Sequence, residues 1–405
     1  MRKNTALLLI TVLIIASCHS KIVKQLHEIS GRDSSVNSYG NDRDFLGKHQ
    51  AIVELANGNS RVLIVPGYQA RVMTSTCEGD SGYSFGWINY ALINSGKYMP
   101  HINAYGGEER FWIGPEGGQY ALFFKPGDPF DLKHWQTPAI IDTAGFDLLK
   151  KDFTTASFTR SFDIENYAGT VFRVRVDRRI KLLSASDAVA VLNTPLPGVS
   201  LVGYQTTNTI TNAGKNAWLK PQGVPSIWLS SMLKASPQNT VMIPFRNGGA
   251  SKINSTYFGK VPAERLIKKD SILFFKTDAK YRSKIGVPPS IVKRLLGDYD
   301  ASGNVLTIIK FDYNGDSDYV NSTWEHQQFP YKGDVVNSYN DGPNDLGSQL
   351  GTFYEMETSS PAIALRKNQS LTHTQYIFHF QGSKNELNEV AKRLLGVSLD
   401  EGNFK

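Results

Sequence analysis

From about residue 48 onward, short apolar runs alternate with clusters of turn residues. Val171–Leu183 is the clearest. Phe172, Val174 and Val176 fall on one side and Arg173, Arg175 and Asp177 on the other, a period of two that predicts a half-buried strand. Arg61–Pro66, Asn304–Tyr313 and Thr374–Phe380 are β-branched or aromatic runs of strand length. Asn57-Gly58, Asn247-Gly248 and Asn314-Gly315 predict tight turns between strands. Helical periodicity is scarce. Ser383–Gly396 sets Leu387, Val390, Ala391, Leu394 and Leu395 on one face, with Ser383 and Glu386 as a capping box and Gly396 where the helix should stop. A shorter helix is predicted over Pro289–Gly297. No repeat and no Pro-rich linker interrupts this pattern. It predicts one all-β, mostly antiparallel domain over residues 48–405, with minor helices and a C-terminal helix.

Composition narrows the class. The 405 residues are 40% hydrophobic and only 20% charged, which excludes a disordered chain or a coiled coil. The net charge of +7 includes Arg2 and Lys3. No Lys/Arg cluster is interleaved with aromatics, so a nucleic-acid partner is not expected. Arg2 and Lys3 precede an apolar run from Ala6 to Ala16; residues 1–17 read as a secretory signal, too short to span a bilayer comfortably. Ile15-Ala16-Ser17-Cys18 resembles a bacterial lipobox. That implies lipidation of Cys18, a membrane partner through the anchor, and a place in the bacterial cell envelope, on the periplasmic face or the outer-membrane surface. Residues 18–47 are then expected to be a flexible tether. The remaining cysteine, Cys77, has no partner for a disulfide and is expected to be a buried small residue.

Candidate chemistry gathers in four segments. His101–Gln119, HINAYGGEERFWIGPEGGQ, combines two Gly pairs with charged and aromatic residues. An aromatic ring can stack on a sugar while Arg and carboxylates bind its hydroxyls; the other reading is a tight hairpin with a core Trp and surface charges. Phe353–Pro361, FYEMETSSP, read as a strand, points Glu355 and Glu357 to one face about 7 Å apart. Tyr354 and Met356 then face the core. Adjacent carboxylates raise each other's pKa, which suits one of them to general-base work; a solvated pair is the alternative. Ser370–Phe380 carries His373 and His379, expected to be structural. Asn321–Pro343 collects Trp324, Glu325, His326, Tyr331 and Asn340, in what is also simply a loop. CxxC, HExxH, P-loop and GxSxG patterns are absent, and no cofactor or metal is expected. Asp341, Asn344 and Asp345 read as a solvated turn rather than a calcium site.

These pieces, in this order, resemble the galactose-mutarotase-like superfamily over roughly residues 48–382. Gly58–Met73, GNSRVLIVPGYQARVM, matches its opening strand. Gly106-Gly107 stands where an early Gly-Gly follows, and YEMETSSPAIALRKNQSLTHTQYIFHF matches its late Glu strand and the strand after it. The GGEERFWIGPEGGQ string is similar to one in uncharacterised Bacteroidota lipoproteins. The resemblance implies a β-supersandwich of two large antiparallel sheets, one concave and carrying a carbohydrate ligand. Aldose 1-epimerases of this superfamily use a Glu as general base and a His as general acid. The resemblance carries the base onto Glu357, with Glu355 second. The sequence departs from that pattern in having Ser359 for a Gln, Pro361 one residue early, and no His at Thr211-Asn212-Ala213. His101 and His326 are then the candidate acids. Arg110, Trp112, Glu116, Gln119, Arg160 and Trp324 are the candidate substrate-binding residues. An epimerase-like enzyme is the first expectation, a glycoside hydrolase pairing Glu116 or Glu108 with Glu357 the second, and a non-catalytic glycan-binding protein the third. A monomer is expected.

Overall fold

The computed structural model describes residues 38–344, 347–402 and 404. The signal segment, Cys18 and residues 19–37 of the expected tether lie outside the described residues. Two antiparallel sheets dominate. The first has the strand order β1 (Val53–Asn57), β2 (Ser60–Val65), β3 (Arg71–Thr76), β4 (Gly107–Gly114), β9 (Ser226–Lys234), β17 (Phe353–Ser359), β16 (Val336–Asn340) and β13 (Ser283–Val287). The second runs β11 (Leu266–Lys269), β12 (Ile272–Lys276), β10 (Asn239–Pro244), β14 (Leu295–Asp300), β15 (Val305–Phe311), β18 (Ser370–Gln381), β8 (Ser200–Asn212), β7 (Val171–Leu182), β6 (Thr155–Glu165) and β5 (Asp147–Lys151). The fold is all-β, a sandwich of two large antiparallel sheets with minor helices.

Alternation builds the core. Phe172, Val174 and Val176 of β7 are buried while Arg173 and Arg175 are exposed. From the first sheet, Phe111 and Ile113 of β4 and Tyr354 and Met356 of β17 enter the same inter-sheet cluster as Val174, Val176 and Ile309. A register shift between Gly107 and Arg110 accompanies two consecutive carboxylates entering this interior. Glu108 accepts from Tyr204 (3.1 Å) and lies 3.0 Å from His379 Nε2. Glu109 is ion-paired with Arg178 of β7, both fully buried. Glu108 therefore ties the sheets together and does not oppose Glu357 across a cleft.

Helices cover the outer faces. The capping box at Ser383 forms as expected and opens a helix over Lys384–Leu394, with Leu387, Val390 and Ala391 buried. Two expectations need correction. Residues 39–47 are not tether: Tyr39–His49 is a helix (α1), N-capped by Ser38, with Tyr39, Asp42 and Leu46 buried. Tyr39 and Leu46 join one apolar cluster with Leu63, Val65 and Met73, and Asp42 accepts from the Ser84 and Tyr90 hydroxyls. Pro289–Gly297 is not a helix: residues 289–291 turn and β14 begins at Leu295. The waiting edges of β10 and β15 outweigh a weak helical period that starts at two prolines.

Candidate functional site

Strand order brings distant segments together on the face of the first sheet turned away from the second. Arg110 of β4 pairs in register with Ser230 of β9, which pairs with Glu357 of β17, which pairs with Asn337 of β16. Two residues along, Met232, Glu355, Tyr339 and Lys284 form a parallel row. Above them opens a cleft of about 560 Å³, walled by Trp112, Trp135, Trp228, Trp324, Tyr339 and Phe353. Arg110, Glu116, Glu355, Arg282 and Lys284 are among its charged groups. Two glycines let the walls close. A Cβ on Gly106 would stand 2.0 Å from the Trp87 carbonyl oxygen, and one on Gly117 would stand 2.4 Å from that of Thr323.

The two glutamates of β17 face one way, as alternation requires, but their neighbours differ. Glu355 lines the cleft, and its Oε1 lies 3.2 Å from Arg110 Nη2. Burial pushes its carboxyl up to about 7; Arg110 opposes that shift and Glu357 adds to it. Glu357 is only 1% exposed and sits beneath the cleft in a small cavity. Its Oε2 accepts from the Trp228 indole N–H and from Lys284 Nζ, each at 2.9 Å, while its Oε1 has no partner. Burial alone would lower the Lys284 ammonium, but Glu357 and then Glu116 hold it above its ordinary value. Burial also raises the Glu116 carboxyl; Lys284 opposes that shift and Glu357 reinforces it. Glu355 is therefore the carboxylate of this strand that lines the cleft, and Glu357, ranked first from the resemblance, is ion-paired with Lys284.

The other expected residues divide. Arg110, Trp112, Glu116, Trp324 and His101 reach the cleft. Trp112 is not a free stacking platform: it is 3% exposed, with the Arg110 guanidinium 3.6 Å from its ring centre. The half-buried rings at the cleft are those of Trp324 and Phe258. His101 Nδ1 lies 2.6 Å from the Trp135 carbonyl oxygen; with the proton on Nδ1, that nitrogen donates there and leaves Nε2 free. His326 is outside the cleft, exposed against Phe130 and Tyr167. Gln119 is a loop clamp, donating to the Gln327 carbonyl and accepting from its N–H. Arg160 lies on β6 of the second sheet and faces Asp147. His373 is buried against Thr358, and burial lowers it to about 4. Cys77 is free and buried, with its thiol pushed up to about 12 by that burial. Asp341 accepts from Tyr339 and from the Gly351 N–H, and Asp345 lies outside the described residues. Among the described residues no cluster of His, Cys, Asp and Glu could hold a metal ion, and no helix is long and apolar enough to cross a membrane.

Sequence reasoning missed Lys284, Trp228, Tyr339 and Arg282. Alternation along β9 could have found Trp228, since Trp228, Ser230 and Met232 share a face. Lys284 carried one weak signal, a lone cation in the strand SKIGV.

The fold is similar to those of several solved structures. One is a galactose mutarotase-like protein from Lactobacillus casei, at 10% identity and a TM-score of 0.49, over 81% of this chain and 100% of that one. The Slr1438 protein from Synechocystis sp. PCC 6803 gives 11% identity and 0.49 over 82% and 96%. A galactose mutarotase related enzyme from Lactobacillus acidophilus gives 8% and 0.45 over 82% and 98%. No protein with curated annotation matches this chain. Both sheets and every wall of the cleft fall within residues 37–403, the stretch matched by the model of a family of unknown function, DUF6786, to which this chain belongs.

Proposed function

We propose that this protein binds a saccharide in the cleft and moves a proton on it with Glu355, in an exchange of the aldose 1-epimerase type. The observation that carries this reading is the Arg110–Glu355 pair. It puts a carboxyl that titrates near neutral pH on the floor of an aromatic-walled cleft, where a general base works best. Glu355 would take the proton of the anomeric hydroxyl as the bond from the anomeric carbon to the ring oxygen breaks. The ring oxygen would take the Nε2 proton of a doubly protonated His101, whose Nδ1–H stays on the Trp135 carbonyl, with Lys284 stabilising the charge that develops there. The open aldehyde would rotate and reclose by the reverse steps. Trp324 would present its ring face to the sugar.

Proton NMR of anomeric exchange across a panel of aldoses tests this. Wild type should speed exchange above buffer, Glu355→Gln should abolish the acceleration, and Trp324→Ala should raise KM. The presence of Glu116 in the same cleft supports a second reading, a hydrolase with Glu116 as acid and Glu355 as its partner. That reading predicts reducing-end release from oligosaccharides, lost in Glu116→Gln. Saccharide binding with neither activity would make the protein a glycan-binding one and sink both catalytic readings.

We also propose that Cys18 carries the lipid that places the protein in the cell envelope. Mass spectrometry of the membrane fraction should find a diacylated N-terminal cysteine, and Cys18→Ser should release the protein. A soluble wild type would overturn the anchor.

A further inference from the structure

The charges of the cleft do not all cancel locally. Arg110 has Glu355, and Lys284 has Glu357. Asp341 is occupied by the Tyr339 hydroxyl at 2.7 Å and the Gly351 N–H at 2.8 Å. Arg282 is different. It lines the cleft one residue before β13, and its guanidinium lies 3.9 Å from the centre of the Phe258 ring. Among the described residues neither Arg282 nor Lys133, which also lines the cleft, forms an ion pair; Arg282 acts on Asp341 and Glu116 only through its field. A guanidinium has five N–H donors and no acceptor. Placed over an aromatic ring and hydrogen-bonded to the Tyr339 hydroxyl, it keeps further N–H donors for a planar anion and loses little entropy in binding one. Neutral hydroxyls do not need such a group.

We propose that the saccharide is an acidic one, carrying a carboxylate or a sulfate ester, and that Arg282 on its Phe258 platform is the residue that pairs with the anion. This rests on the reading of the cleft as a saccharide site and names the substrate class. Lys133 adds a second positive charge at the cleft. Burial raises Glu116, Glu355 and Asp341, so the cleft's carboxyls repel an incoming anion less than their number suggests.

Titration calorimetry or ligand-observed NMR would compare glucuronate and galacturonate, glucose 6-sulfate and galactose 6-sulfate, and neutral glucose and galactose. Wild type should bind at least one acidic class about tenfold or more tightly than the matched neutral sugar, the usual worth of a hydrogen-bonded charge pair. The carboxylate and sulfate arms identify which anion the site takes. In Arg282→Met the preference should collapse to near parity while neutral-sugar affinity holds. Arg282→Lys, which keeps a point charge without the planar fork, should fall between them. Unfolding curves confirm that each variant is folded. Equal binding of neutral and acidic sugars by wild type, or a preference that survives Arg282→Met, overturns the inference and leaves the saccharide reading standing. A folded wild type that binds none of these sugars overturns the saccharide reading itself.

Discussion

Glu355 and Glu357 stand two residues apart on one strand, point the same way, and do different work. The difference comes from what the neighbouring strands set beside each. Arg110 from β4 pulls the Glu355 carboxyl down, while burial and Glu357 push it up to about 7. Removing that cation leaves only the weaker pull of Lys284 against the upward forces. In Arg110→Met the Glu355 titration midpoint should therefore rise by about one pH unit or more, read by carboxyl-carbon NMR. A midpoint that stays or falls would show that Arg110 does not set it. Period-two alternation made the shared face of the two glutamates legible in the sequence. It could not rank them, because the deciding partner of Glu357 is Lys284, 73 residues upstream and four strands earlier in chain order. Trp112 teaches the same lesson. Its residue type suggested a sugar platform, but a guanidinium from its own strand already covers it.

At the scale of elements, local signals read well where the chain decides alone and poorly where tertiary contacts decide. The Ser383 capping box and the alternation of β7 survive intact. The segment after Pro289 does not, since β14 is claimed by strands on both sides. Helix α1 was missed because its sequence, YGNDRDFLGKH, is mostly polar with two glycines. Three buried side chains hold it, and that is visible only once β2 and β3 are present. Leu46 is fully buried against them. Leu46→Ala should cost about 2–4 kcal/mol in a denaturant titration, and a chain starting at residue 50 should lose comparable stability. A loss under about 0.5 kcal/mol in both cases would return this segment to the role of tether.

At the scale of the whole molecule, polar groups lie where two sheets meet. Glu109–Arg178 is one such link. Asp298 is another: it sits on β14, 1% exposed, with Tyr354 of the first sheet and Thr307 as hydroxyl partners. Burial raises its carboxyl to about 7, against about 3.9 in an unfolded chain. Between those values the folded protein holds a proton that the unfolded chain has released, so stability falls as pH rises from about 4 to about 7. The stabilising contribution is complete below the unfolded pKa and gone above the folded one. Asp298→Asn keeps a hydrogen-bond acceptor for Tyr354 and never ionises. Whatever fixed offset the amide introduces, the stability of the variant relative to wild type should improve between pH 4 and pH 8, by on the order of 3 kcal/mol. Paired urea titrations at the two pH values measure that change, and the pairing cancels the titration of every other group. A relative stability that stays flat across the range would mean that Asp298 is already charged at pH 7, with solvent or another cation between the sheets compensating it.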